Sequence, residues 1–176
     1  MSDIKLEEFQ NWTTRPVADP RRASQAQFMD GMTEILQAQA PIQALDLFQT
    51  YAKAGGLMKI TAPVRSRFER SIKDAERAGT IVIEIENDSE VYDASDPRCW
   101  IVRLEGQDRV VMRTLGPRSF AEVPLSELAA LVLELRCTDE FMGKKEIARN
   151  ILSLYGLQKL TALVQRRLDR VFAEYF

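Results

Sequence analysis

The stretch GLMKITAPVRSRF at residues 56–68 returns, without a gap, 100 residues later as GLQKLTALVQRRL at residues 156–168. Glycine, leucine, lysine, threonine, alanine, valine and arginine occupy matching places in the two stretches. The register continues forward to Arg70 and Arg170. Self-similarity at a fixed spacing indicates a repeated structural module. The chain is therefore predicted to contain two copies of one module.

Three helices are predicted in the first copy. The first carries an apolar stripe at helical spacing, made of Phe28, Met32, Ile35 and Leu36. Pro41 is predicted to open the second helix, because proline suits the first turn, and Gly55 and Gly56 to close it. Thr61 is a good N-cap residue for the third helix, and Pro63 lies in that helix's first turn.

The second copy shows the same three-helix pattern. Gly156 is predicted to end its second helix and Thr161 to cap its third. Its inward-facing positions are predicted to be Leu128, Val132, Leu135, Ile147, Ile151, Leu154, Val164, Leu168, Phe172 and Tyr175.

Strand-like runs follow the first three helices. Residues 81–85 are rich in isoleucine and valine. Residues 99–104 and 109–113 flank the turn-like sequence EGQD at 105–108, which predicts a β-hairpin. Three helices followed by a hairpin is winged-helix order. The predicted fold is mainly α with a small β-hairpin, built as tandem duplicated winged-helix or helix-turn-helix-like modules.

Three regions follow from these patterns. Residues 1–25 are predicted to form an extended lead-in whose Trp12 docks on the core. Residues 26–115 form the first winged-helix-like module with its hairpin. Residues 116–176 form the second three-helix module, which lacks a wing because the sequence stops within its third helix.

Composition argues against catalysis. The chain has no histidine, which removes the histidine-based nucleophile pairs, general bases and metal ligands. The densest acidic run contains Glu84, Glu86, Asp88, Glu90, Asp93 and Asp96. It lacks the ligand spacing of a calcium loop or a nuclease core, so it is interpreted as a solvated loop that would repel DNA. No catalytic residue, metal, cofactor or small-molecule substrate is expected.

Other features predict a cytoplasmic protein without a membrane segment. There is no signal-like N-terminus and no apolar run near the roughly 18 residues that a membrane span needs. Cys99 and Cys137 form no CxxC pair and are predicted to be small buried residues. The net charge of −2 argues against binding DNA by overall charge alone, although it leaves room for a local basic face.

These motifs resemble a helical repeat domain of unknown function near the C-terminus of large bacterial superfamily I DNA helicases. The resemblance rests on the Ala40-Pro41-Ile42 element, on the GLxK[IL]TAxVxxR element in both copies, and on LGPRSFAEVPLSEL at residues 115–128. It covers roughly residues 12–176. No GxxxxGK[ST] motif is present, so the chain cannot be a helicase motor. The resemblance implies an accessory module that works beside a motor or nuclease, and it supplies no catalytic residues.

The outward ridges of the third helices suggest a recognition surface. The candidate nucleic-acid-binding residues are Lys59, Ser66, Arg70, Lys73, Arg77, Lys159, Arg166, Arg167 and Arg170. The ridge residues could instead form ion pairs with flanking acids such as Glu69 and Asp74. Lys59 and Lys159 could hold a phosphate at the helix start or simply occupy a tight turn beside a capping threonine.

The leading hypothesis is a non-catalytic accessory module that binds nucleic acid, duplex DNA in the first instance, through both third helices. Such a module would belong to a helicase-, nuclease- or defence-type assembly and would contact a helicase- or nuclease-type protein. The alternative is a protein docking module that makes no direct DNA contact. The net negative charge favours this alternative.

Overall fold

The computed structural model describes residues 4–86 and 92–175 and divides the chain into two compact units. The N-terminal unit is Gln10–Arg109, and the C-terminal unit is Val110–Phe176 together with Met1–Phe9. The described part is mainly helical and contains a three-stranded antiparallel sheet, which confirms the predicted mainly-α class.

The N-terminal unit combines helices and a sheet. Its elements in chain order are α1 (Gln25–Gln39), β1 (Ile42–Gln43), α2 (Ala44–Ala54), α3 (Ala62–Arg77), β2 (Ile81–Ile85) and β3 (Trp100–Leu104). The strands lie in the order β1-β3-β2, with β3 antiparallel to both neighbours. Trp12, from the segment before α1, is buried in this unit's core, as predicted.

Local chemistry sets the ends of these helices. Ser24 begins α1 through a reciprocal capping box with Gln27. Gly55 is the C-cap of α2, and Gly56 follows with a φ of 83°, a conformation that favours glycine. Thr61 is the N-cap residue of α3. The predicted end of α2 and the predicted start of α3 are therefore confirmed.

The predicted start of α2 at Pro41 is wrong. Ile42 and Gln43 are extended and pair with Val102 and Ile101 of β3, so the helix begins only at Ala44. Ile42 is also buried, and a β-branched side chain fits a half-buried strand well. Pairing with a distant strand thus overrides the local preference of proline for a first helical turn.

The predicted hairpin between residues 99–104 and 109–113 is also wrong. Strand β3 pairs instead with β2, from Ile81 opposite Leu104 to Ile85 opposite Trp100. Because β1 occupies its other edge, β3 has no free edge for a further strand. Residues 112–114 bond to the N-terminal segment instead: the Glu7 amide donates to the Met112 carbonyl at 2.9 Å.

The C-terminal unit contains three helices with the same spacing along the chain as those of the N-terminal unit. Its helices are α4 (Leu125–Thr138), α5 (Lys144–Leu154) and α6 (Ala162–Tyr175), and each begins 100 residues after its counterpart α1, α2 or α3. Gly156 has a φ of 66°, matching the conformation of Gly56. Apart from one isolated bridge, no strand occurs among the described residues of this unit.

Core positions recur at the same offset. Residues buried in both copies are Phe28/Leu128, Met32/Val132, Ile35/Leu135, Leu47/Ile147, Phe48/Ala148, Tyr51/Ile151, Ala52/Leu152, Val64/Val164, Phe68/Leu168 and Ile72/Phe172. The packing differs in kind. The first core stacks aromatic rings, with Phe48 and Phe68 centroids 4.8 Å apart, whereas the second is mostly aliphatic.

The cysteines do not behave alike. Cys99 is buried, as predicted, but Cys137 is exposed near the end of α4. The prediction that both are buried is therefore wrong for Cys137, because that residue lies outside the arc of α4 that contains Leu131, Val132 and Leu135.

A buried ionic cluster lies in the C-terminal unit. Glu127, on α4, is only 1% exposed and accepts hydrogen bonds from the Arg113 and Arg118 guanidinium groups at 2.9–3.0 Å. The Arg113 backbone amide also donates to Glu127 at 3.1 Å. Burial lowers the pKa of Arg113 and raises that of the neighbouring Tyr155. One buried carboxylate thus pairs with the buried Arg113 and the partly buried Arg118.

We expect Glu127→Gln to destabilise the protein by about 3 kcal/mol, because losing one partner leaves buried charge uncompensated. Urea unfolding of the chain measures this difference. Glu134→Gln is the matched control: Glu134 is exposed on the same helix and its replacement should cost under about 0.5 kcal/mol. Equal stabilities of the two variants would contradict a structural role for the cluster.

Candidate nucleic-acid interface

Positive charge is concentrated in the second and third helices of each copy. Residues 44–77, which span α2 and α3, contain seven Lys or Arg and four Asp or Glu. Residues 144–175, which span α5 and α6, contain seven Lys or Arg and three Asp or Glu. The whole chain has 24 basic and 26 acidic residues, so the acidic excess lies outside these two segments. Each of these two helix pairs is therefore locally basic within an acidic chain.

The ridge of α3 is largely compensated by carboxylates. Lys73 is half-buried, lies 3.1 Å from Glu76, and sits 4.6 Å above the Trp100 ring. Arg77 is exposed and pairs with Asp74 at 2.8 Å. The ion-pair interpretation therefore describes these two cations.

Two further α3 candidates are exposed. Ser66 and Arg70 both face solvent, and Arg70 has no ion pair within the described part of the chain. Arg65, on the same helix, is bound to Glu69 at 2.8 Å and to Asp96 at 3.2 Å. Arg70 is consequently the α3 candidate best placed to meet a phosphate.

The ridge of α6 is more open. Arg166 and Arg170 are exposed, and neither has an ion pair among residues 4–86 and 92–175. The nearby carboxylate of Asp169 accepts a hydrogen bond from the Gln165 side chain at 2.7 Å. Arg166 and Arg170 lie one helical turn apart, so both can face one ligand surface.

Arg167 does not belong to this surface, and its inclusion is corrected. It is 1% exposed, and its guanidinium donates to the Phe120 carbonyl. The equivalent Arg67 of the first copy donates to the Pro20 carbonyl at 3.0 Å and to the Ala23 carbonyl at 2.6 Å. Both arginines tie the third helix to the segment before the first helix of their own unit.

The turn lysines are both exposed. Lys59 and Lys159 stand two residues before the helix N-caps. The Thr161 hydroxyl accepts a hydrogen bond from the Val164 amide at 3.3 Å, whereas Thr61 makes no side-chain capping bond. In the second copy the threonine therefore occupies an amide that a bound phosphate would need, which favours the capping interpretation there.

Two carboxylates in the described part of the acidic run, Glu84 and Asp96, are paired with arginines. Glu84 pairs with Arg103 at 3.4 Å and with Arg109 at 2.5 Å. Asp96 pairs with Arg98 at 2.6 Å, and hydrogen bonds from Arg98 hold the pKa of Asp96 down at about 2. Asp88 and Glu90 lie outside the described residues. Among the described residues no group of three or more potential ligands could hold a metal ion.

A groove lies at the equivalent place in each copy. In the first copy it has a volume of about 470 Å³ and is lined by Gln49, Ala52, Lys53, Leu57, Met58, Lys59 and Ile60. In the second copy, between α5 and α6, it has a volume of about 370 Å³ and is lined by Lys144, Lys145, Ala148, Arg149, Leu152, Gln158, Leu160, Gln165 and Phe172. Four lining positions coincide at the offset of 100: Gln49/Arg149, Ala52/Leu152, Met58/Gln158 and Ile60/Leu160.

Sequence reasoning missed the cations of α5. Lys144, Lys145 and Arg149 are all exposed and line the second groove. The signal lies in the helical spacing of α5. Opposite its buried residues Ile147 and Ile151, that spacing places Lys145 and Arg149 together on one face.

The sequence matches no family model, and neither the curated proteins nor the solved structures give a significant match. Within residues 4–86 and 92–175, every helix is too short or too polar to cross a bilayer.

We expect Arg167→Gln to lower the free energy of unfolding by about 2 kcal/mol, because a charged hydrogen bond to a buried carbonyl is lost. The matched control is the adjacent Arg166→Gln, an exposed change that should cost under about 0.5 kcal/mol. Chemical denaturation of both variants makes the comparison. If Arg166→Gln lowers the free energy of unfolding more than Arg167→Gln does, the structural role assigned to Arg167 is wrong.

Proposed function

We propose that the chain is a non-catalytic accessory module that binds nucleic acid through its helix-turn-helix segments, with α6 of the C-terminal unit as the main surface. The observation that carries the proposal is the set of exposed cations at and before α6 that have no ion pair in the described chain: Lys159, Arg166 and Arg170. Phosphate contacts by lysine and arginine supply most non-specific affinity for nucleic acid. Duplex DNA is the favoured ligand, because a helix can enter its major groove.

The element order of the N-terminal unit supports this proposal. An α1-β1-α2-α3-β2-β3 order with the sheet β1-β3-β2 supports our proposal that this unit is winged-helix-like, with α3 as its recognition helix. We interpret the C-terminal unit as the second copy of a tandem duplication, without a wing. In the N-terminal unit the compensated α3 ridge leaves Arg70 and Lys59 as the contacts.

The module is proposed to act beside a motor or nuclease rather than as an enzyme. The absence of histidine and of a nucleotide-binding motif supports this role. The resemblance to a helicase-associated repeat domain supplies the assembly type: a helicase-, nuclease- or defence-type complex in the cytoplasm.

A docking role is the second candidate, and exposed apolar side chains favour it. Met58 is fully exposed, and Phe141 is 88% exposed. A contiguous apolar patch around either side chain would mark a contact with another protein.

The proposed function predicts that Arg166→Glu with Arg170→Glu weakens duplex DNA binding at low salt by about tenfold or more, because two phosphate contacts become repulsive. The slope of log K against log salt should fall by about one unit for each lost contact. Fluorescence anisotropy with a labelled duplex, repeated with the single strand and at several salt concentrations, measures both quantities.

Arg77→Glu with Arg21→Glu is the matched control, since both arginines already pair with carboxylates, Asp74 and Asp19. That variant has the same net charge and should bind DNA far better than the α6 variant. Equal losses of DNA affinity in the two variants would mean that the change in net charge alone explains the effect. A wild-type chain that binds no nucleic acid at low salt would overturn the proposal.

A further inference from the structure

The groove between α5 and α6 has a basic rim and an apolar floor. Lys144, Lys145 and Arg149 supply three cations, and no carboxylate lines the groove. Leu152, Leu160 and Phe172 line its apolar floor, and Leu160 is the exposed one of the three, since Leu152 is 7% and Phe172 2% exposed. Leu160 is 47% exposed, so its side chain meets solvent in the free chain. Such a site fits a ligand that combines a bulky apolar group with negative charge.

That combination stands immediately before α5 in the same chain. The sequence Asp139-Glu140-Phe141 joins α4 to α5, and we refer to these three residues as the acidic lip. All three are exposed, and Phe141 is 88% exposed. The Asp139 side chain accepts a hydrogen bond from the Phe141 amide at 3.0 Å, which helps to hold the lip in its turn. Glu140 makes no ion pair within the described chain.

The lip and the groove belong to one continuous surface. Phe141 precedes Lys144, which lines the groove, by only three residues, so their Cα atoms lie within about 11 Å of each other. A surface that carries an anionic, aromatic projection beside a cationic, apolar hollow is complementary to itself. A two-fold axis brings the same patch of two copies together and satisfies both halves at once.

We propose that two copies of this chain associate through this surface, with Phe141 of each copy seated in the α5–α6 groove of its partner and Glu140 facing the groove's cations. The association goes beyond the proposed nucleic-acid function and does not depend on it. A single aromatic anchor on each side buries about 150–250 Å². The dimer interface is therefore small, and dimerisation is reversible. It is also sensitive to salt, because part of the attraction is between exposed charges.

A second molecule of this chain is favoured over a foreign acidic peptide because of the side chains that the chain itself exposes. A monomer would leave Phe141 in water beside a groove of suitable chemistry, and dimerisation removes both from solvent together. The equivalent loop of the N-terminal unit has no such lip. The residues at the same offset of 100 are Gln39, Ala40 and Pro41, which carry neither a carboxylate nor an exposed aromatic ring. The interaction is thus specific to the C-terminal unit.

Sedimentation velocity on the purified full chain, from low to high micromolar concentration and at low and moderate salt, tests the proposal. We expect a reversible monomer–dimer equilibrium. Phe141→Ser should raise the dimer dissociation constant by about tenfold or more, since the anchor is lost on both sides. Met58→Ser is the matched control: it removes another exposed apolar side chain, from the N-terminal unit, and should leave the equilibrium unchanged.

Charge exchange between copies gives the sharper test. Glu140→Lys and Lys145→Glu should each weaken self-association, because each places like charges across the two-fold interface. An equimolar mixture of the two variants should associate more strongly than either alone, since one lip–groove contact then keeps its native charges and the other brings the two reversed side chains together as an opposite-charge pair. Circular dichroism of each variant before mixing verifies that both are folded.

Two results would overturn the proposal. One is a wild-type chain that stays monomeric at high micromolar concentration and low salt, which would leave the groove to another ligand. The other is a dimer that is insensitive to Phe141→Ser and gains nothing from mixing the charge variants, which would place the interface elsewhere. Neither result affects the DNA-binding test, because Arg166 and Arg170 lie outside the residues that line the groove.

Discussion

One arginine on the third helix of each unit anchors that helix to the chain segment before the first helix. Arg67 donates to the carbonyls of Pro20 and Ala23, and Arg167 donates to the carbonyl of Phe120. Arg167 is buried and Arg67 is partly buried, and a guanidinium removed from water needs hydrogen-bond acceptors such as these carbonyls. Helix and segment are thereby held together in each unit. The other cations of the third helix are then left to ion pairs or to solvent.

The two copies use that shared frame differently. In the first, the core contains four contacting aromatic rings, and α3 meets carboxylates on its own turns and on the loop before β3. In the second, the core is mostly aliphatic, and α6 keeps Arg166 and Arg170 exposed. On α3, Lys73 and Arg77 are paired with carboxylates and Arg70 is not, whereas on α6 both outward arginines are without an ion pair in the described chain. A ligand with a phosphate backbone would distinguish the two copies on this ground alone.

Local features were predictable from the sequence, and non-local ones were not. The repeat, the helix ends at Gly56 and Gly156 and the inward stripes follow from patterns within a few residues of each position. The strand partners of β3 do not, because β-branched runs at 81–85 and 109–113 look alike as strands. Only the tertiary structure shows that the edges of β3 are filled by β1 and β2.

The same distinction holds for the candidate site. Arg70, Arg166 and Arg170 were placed on the surface correctly because they lie far from the apolar stripe. Arg167 lies only about 60° from Val164 around a helix of 3.6 residues per turn, at the border of the buried arc. Its charge suggested solvent, yet a carbonyl contributed by a residue 47 positions away holds it inside. No local pattern contains that partner.

The C-terminal unit thus concentrates three kinds of surface within about fifty residues: an anchored helix, an open pair of arginines and a groove beside an acidic lip. The hydrogen bond of Arg167 that anchors α6 allows the arginine pair and the groove to lie on separate surfaces. Arg167 is buried and bound to the Phe120 carbonyl, whereas Arg166 and Arg170 are exposed to solvent. The groove, by contrast, takes its cations from α5.

In the proposed dimer the groove is filled while the arginines stay exposed, so a two-fold pair would present two α6 helices at once. Paired recognition helices contact two half-sites of a duplex, and their separation fixes the spacing between those half-sites. Self-association and nucleic-acid binding would then reinforce each other, because each bound copy raises the effective concentration of the second beside the same duplex.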